Sequence, residues 1–94
     1  MKVRLHFRQD KIHIDEEFAG KSADEVVGAM KARVMKELPF AMRLVVGTMS
    51  NLGFAQEVVR RYNESQKKSL PVPESCAEFL TLAQGEGLAT IEEA

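Results

Sequence analysis

The first eighteen residues constrain the fold more than any other stretch of the chain. In Met1-Lys2-Val3-Arg4-Leu5-His6-Phe7-Arg8, Val3, Leu5 and Phe7 alternate with charged or polar side chains. Beyond Gln9-Asp10, Ile12, Ile14 and Phe18 alternate in the same way with His13, Asp15 and Glu17. Successive side chains of a strand point to opposite faces, so a period of two predicts two strands, each apolar on one side and solvated on the other. The short connector at Gln9-Asp10 predicts a hairpin, although it lacks the Asn-Gly or Asp-Gly that favours a two-residue turn. Two registers keep like faces together. A two-residue turn pairs Phe7 with Ile12, Leu5 with Ile14, His6 with His13 and Arg4 with Asp15. A four-residue loop pairs His6 with Asp15 and Arg4 with Glu17. A three-residue loop would set apolar against polar positions, which a strand buried on one face does not tolerate.

Past the hairpin the apolar period changes from two to between three and four. Ser22 followed by Glu25 forms a capping box, and Asp24 adds negative charge where the helix dipole favours it. Val26, Val27, Met30, Val34, Met35 and Leu38 then mark one face, and Pro39 disfavours helical geometry at Leu38, so a first helix should end near Glu37. Between Phe40 and Tyr62 two adjoining stripes run at helical spacing. One is Met42, Val45, Met49, Leu52 and Val59; the other is Ala41, Leu44, Thr48, Ala55 and Tyr62. They favour helix over a buried Leu44-Val45-Val46 strand, with a break at Ser50-Asn51, where either residue can cap a new helix running to about Asn63. Glu64 to Val72 reads as a loop. Ser75 and Glu78 repeat the capping box ahead of Cys76, Phe79, Leu80 and Ala83, and Gly85 or Gly87 supplies a stop. The tail Leu88-Ala89-Thr90-Ile91-Glu92 is β-compatible, and a lone strand needs a partner. Residues 74–94 carry five glutamates and no basic residue, which complements the basic first strand.

Length and composition bound what such a chain does. At 94 residues it is expected to form a single small domain over 1–94. One cysteine rules out an internal disulfide, so the chain is not a secreted, disulfide-stapled mini-protein. Thirteen basic residues against fourteen acidic ones leave a formal charge of −1, with no domain-wide attraction to nucleic acid. The longest uncharged stretch, Leu44 to Gln56, is thirteen residues and too short to span a bilayer. The N-terminus lacks the unbroken apolar block of a secretory signal. These features predict a cytoplasmic protein with no membrane partner.

Three groups of residues carry candidate chemistry. His6, His13 and Asp15 lie on the polar face of the hairpin, where two imidazoles and a carboxylate suit zinc or a similar metal. Alternation alone also puts them there, and their spacing matches no tight metal motif. Cys76 falls in the first turn of a helix, where the dipole can lower a thiol pKa. It shares its helical face with Phe79, Leu80 and Ala83, however, which makes it a small buried hydrophobe. Arg60 and Arg61 beside Tyr62, with Lys67 and Lys68 downstream, resemble a phosphate grip with a stacking partner. Glu57 and Glu64 stand at the spacing that makes ordinary ion pairs on a helix surface, and Tyr62 lies on an apolar stripe. No glycine-rich phosphate loop and no G-x-S-x-G occurs, and no cofactor is implied.

The expected architecture is α+β: an N-terminal β-hairpin, three to four helices packed on one face, and a short C-terminal strand that can join the sheet. The function expected is that of a non-enzymatic interaction module that self-associates, through Met42, Val45, Met49 and Leu52, as a homodimer or with an unidentified protein partner. The alternative is a nucleic-acid-associated accessory protein using Arg60, Arg61, Lys67 and Lys68, and a small metal- or thiol-dependent enzyme comes third.

Overall fold

A computed structural model describes residues 1–9 and 12–92. Along the chain lie β1 (Lys2–Gln9), β2 (Ile12–Ala19), α1 (Ala23–Met35), α2 (Phe40–Gly47), α3 (Asn51–Gln66), α4 (Cys76–Gly85) and β3 (Ala89–Glu92). The three strands form one antiparallel sheet in the order β2-β1-β3, so the hairpin and the C-terminal strand share β1 as their centre. The α+β architecture with a hairpin, four helices and a strand closing the sheet is thus the one expected.

Alternation in the sequence becomes a two-sided sheet. Val3, Leu5, Phe7, Ile14, Phe18 and Ala89 are buried beneath the helices, while Lys2, Arg4, His6, Arg8, His13, Asp15, Glu17, Thr90 and Glu92 are exposed. Of the two allowed registers, the strands adopt the one pairing His6 with Asp15 and Arg4 with Glu17, and pairing continues to Gln9 with Ile12. The register that opposes His6 to His13 and Phe7 to Ile12 is therefore not formed. In the observed one Asp15 stands opposite His6, 3.4 Å from its Nδ1, and also lies 3.1 Å from Arg4 Nη2, so one carboxylate meets two basic side chains across the strands. The connector proposed at Gln9-Asp10 falls partly outside the described residues. Glu16 breaks the alternation, since it stands opposite Leu5 on the helix side. Arg33 of α1 makes this tolerable: its Nε donates to Glu16 at 2.7 Å and its Nη1 to Glu37 at 2.7 Å. The carboxylates and their hydrogen bonds raise the pKa of the Arg33 guanidinium, which stays charged.

Side-chain caps set the helix starts. Ser22 accepts from the Glu25 N–H, Ser50 from Gly53 and Ser75 from Glu78, each satisfying an otherwise unpaired first-turn donor. The side chain of Glu25 reaches back to the Lys21 N–H at 2.9 Å. Helix α1 ends at Met35, two residues earlier than Glu37, and a tight turn carries the chain to Pro39. Helix α3 passes Asn63 and ends at Gln66, with Lys67 in the left-handed conformation (φ 55°) closing it. Asn63 remains inside the helix and clasps the next loop, donating to the Leu70 carbonyl and accepting from the Leu70 N–H. At the end of α4, Gly87 (φ 75°) lets its own N–H reach the Gln84 carbonyl and that of Leu88 reach Ala83, which aims the chain into β3.

Val26, Val27 and Met30 of α1 seal the centre of the core at 0–2% exposure, each contributing roughly 1.5–3 kcal/mol by leaving water. Close approach of α1 to α3 depends on Gly28, where an added Cβ would lie 3.0 Å from Asn51 Nδ2. That amide donates to the Asp24 backbone carbonyl and to its carboxylate, tying the two helix starts together. No helix among the described residues is long and apolar enough to cross a membrane.

Candidate functional site

Helix α2 differs from the other three. It buries only Val46, and its exposed side chains include Phe40, Leu44 and Val45 at 69, 59 and 53%. With eight residues and Arg43 as its single charge, it is apolar around most of its circumference, a pattern that calls for cover on more than one side. Beneath it lies a cleft of about 100 Å³. Val34 and Leu38 form one wall, Met42, Val45, Val46 and Met49 the second, and Phe54 and Val58 of α3 the third, with Phe7 also lining it. Glu57 and Arg61 complete the lining. Lys31 of α1 anchors the turn between α2 and α3, its ammonium donating to the Met49 carbonyl.

The four residues expected at an interface are distributed unevenly around this feature. Val45 is exposed at the cleft lip, Met42 and Met49 are half-buried in its wall, and Leu52 is half-buried without lining it. The interface set expected from sequence leaves out Phe40 and Leu44, both exposed in the structure, although Leu44 lies on the second apolar stripe with Ala41 and Thr48. The available signal was the pair Phe40 and Leu44, four apart, on the far side of the helix from Met42 and Val46.

Ion pairs take up three of the four cations in the basic cluster. Arg60 pairs with Glu57 and Glu64, Arg61 Nε lies 3.0 Å from Glu57 Oε1, and Lys68 pairs with Glu86. Hydrogen bonds from both arginines, Arg60 above all, hold the Glu57 carboxyl at about 2. Lys68 also lies 5.8 Å from the centre of the Tyr62 ring, and the Tyr62 hydroxyl donates to Glu86 at 3.1 Å. Burial, followed by that carboxylate, raises the Tyr62 pKa. Tyr62 therefore packs and pins the 67–86 segment instead of presenting a free ring face. Of the four cations only Lys67 has no carboxylate within 4 Å among the described residues.

The hairpin face brings His6 to Asp15, but His13 sits across from Arg8, and no group of three His, Cys, Asp or Glu side chains placed to hold a metal occurs among the described residues. Cys76 opens α4 at 7% exposure, with its Sγ 3.6 Å from Asp24 Oδ1. Burial, then the neighbouring carboxylate, raises the thiol pKa, opposing any activation by the helix dipole. The thiol acts as a hydrogen-bond donor joining α4 to α1.

Compared with protein family models, with curated proteins and with solved structures, the chain matches none.

Proposed function

We propose that this chain is a non-enzymatic interaction module that self-associates through the outer surface of α2. One observation carries the reading: Phe40, Leu44 and Val45 are more than half exposed on a helix with a single charge, and they adjoin an apolar cleft. Contiguous exposed apolar surface of this kind marks interaction sites on soluble domains. The same surface offers no acid, base or nucleophile beyond the Glu57–Arg61 pair, which is satisfied internally. The sheet edge is a poorer route to assembly. Pairing β2 with its own copy would bring Asp15, Glu16 and Glu17 together across a two-fold axis, and like charges on an edge strand oppose such pairing. A lone thiol kept protonated by its burial fits work in the cytoplasm.

Light scattering behind a sizing column tests the proposal. A mass of twice 10.5 kDa at tens of micromolar protein is expected. Leu44→Lys should return it to the monomer without loss of helical signal, and Lys67→Glu should leave it unchanged. A wild-type mass near 10.5 kDa up to several hundred micromolar refutes self-association.

A further inference from the structure

The cleft beneath α2 is sized for one side chain. Small-molecule sites usually measure about 300–1,000 Å³, and an apolar cavity near 150 Å³ takes up benzene. At about 100 Å³ with an open mouth, this cleft matches the inserted part of a single aromatic ring. The chain has five phenylalanines, of which Phe7, Phe18, Phe54 and Phe79 are buried and Phe40 is 69% exposed. Phe40 cannot turn into its own cleft. At about 100° per residue it stands roughly 140° round the helix from Val45, the exposed lip. On the arc between them lie Leu44, Thr48 and Ala41, all exposed and none charged, whereas Arg43 falls outside it. Knob and arc thus form one continuous uncharged surface that runs to the lip of the hole, whose lining is apolar apart from the internally paired Glu57 and Arg61.

Area points to the same seating. A helix of eight residues is about 12 Å long, so α2 against a second α2 covers less than the roughly 800 Å² per partner of a standard interface. Seating Phe40 in the cleft adds the walls at Leu38, Met49 and Val58 to the contact and raises the buried area toward that value. We infer that Phe40 of one copy occupies the cleft of a second copy, and that the exchange is mutual, closing a two-fold dimer. This inference rests on the self-association reading and names the contact that produces it.

The chain has no tryptophan, so Phe40→Trp installs a single fluorescent reporter at the knob. Its emission should shift to the blue as concentration rises through the dimerisation range that light scattering gives for the same variant. Phe40→Ala, a change at an exposed position, should keep the native circular dichroism and weaken dimerisation at least about thirtyfold. A dimer that survives Phe40→Ala unweakened, with emission of the Phe40→Trp variant independent of concentration, overturns the seating and leaves self-association standing. A monomeric wild type overturns both. Mass that grows past the dimer with concentration overturns the mutual exchange, since an unreciprocated knob and hole build an open chain.

Discussion

Replacing Glu57 by Gln keeps the side-chain shape and removes one charge from the cluster it forms with Arg60 and Arg61. Both arginines donate to this carboxylate, and they hold it at about 2 instead of 4.5. Taken at face value, such a displacement corresponds to roughly 3 kcal/mol favouring the ionised form in the folded state. Much of that is screened. The carboxylate side chain is 25% exposed, and its partners Arg60 and Arg61 are 55 and 50% exposed, so about 1 kcal/mol is the expected remainder. The sign follows from the direction of the shift. A lowered carboxyl pKa contributes stability in full above about pH 4.5 and loses it as pH falls toward 2. At pH 7 and low salt, Glu57→Gln should therefore lower Tm by about 4–8 °C for a domain of this size. The gap to wild type should close progressively between pH 4.5 and 2. Thermal melts of both proteins at pH 7, 5, 3.5 and 2.5 make the comparison. A gap of the same size at pH 2.5 as at pH 7 would assign the loss to packing and refute the electrostatic account; no gap at pH 7 would show that the pairs contribute nothing.

Two further perturbations have defined outcomes. Lys67→Gly removes the cost of a left-handed backbone at φ 55°, offset in part by the greater freedom of glycine in the unfolded chain, and should stabilise the protein by about 0.5 kcal/mol in urea melts; a lower midpoint would contradict it. Cys76, buried and with its pKa raised, should react with a thiol-specific disulfide reagent at pH 8 at least about tenfold more slowly than the same chain in denaturant, and equal rates would mean that the thiol is exposed or activated.

Most of the fold was legible because it is written in local signals. The strand alternation, the Ser22, Ser50 and Ser75 caps and the Gly87 turn each need only a few neighbouring residues to be read. Register was legible down to two choices, since parity fixes the faces but not the loop length. What remained hidden depends on residues far apart in sequence. Glu16 is tolerated on the inner face through Arg33, seventeen positions away, and Lys68 meets Glu86 across eighteen. The Glu57–Arg60–Arg61–Glu64 pairing was visible from its spacing of three and four. Helix α2 was the hardest case. Periodicity identifies a stripe but not its direction, and a helix that is apolar nearly all round gives both sides equal claim to the core. Burial of Val46 decided it in favour of the Met42–Val46 side, leaving Phe40 and Leu44 outside.

The strand order β2-β1-β3 has a consequence for how the chain is made. Val3 pairs with Phe18 on one side and with Ile91 on the other, so the second neighbour of β1 is translated 88 residues later. At about 5–20 residues per second, β1 waits roughly 4–18 s on the ribosome with one edge open. Throughout that interval the Lys2–Leu5 backbone groups on that side lack their ladder partners. The nascent chain meets the hazard with Lys2 beside the exposed edge, a cation that opposes pairing with a second nascent copy in the same state until β3 arrives.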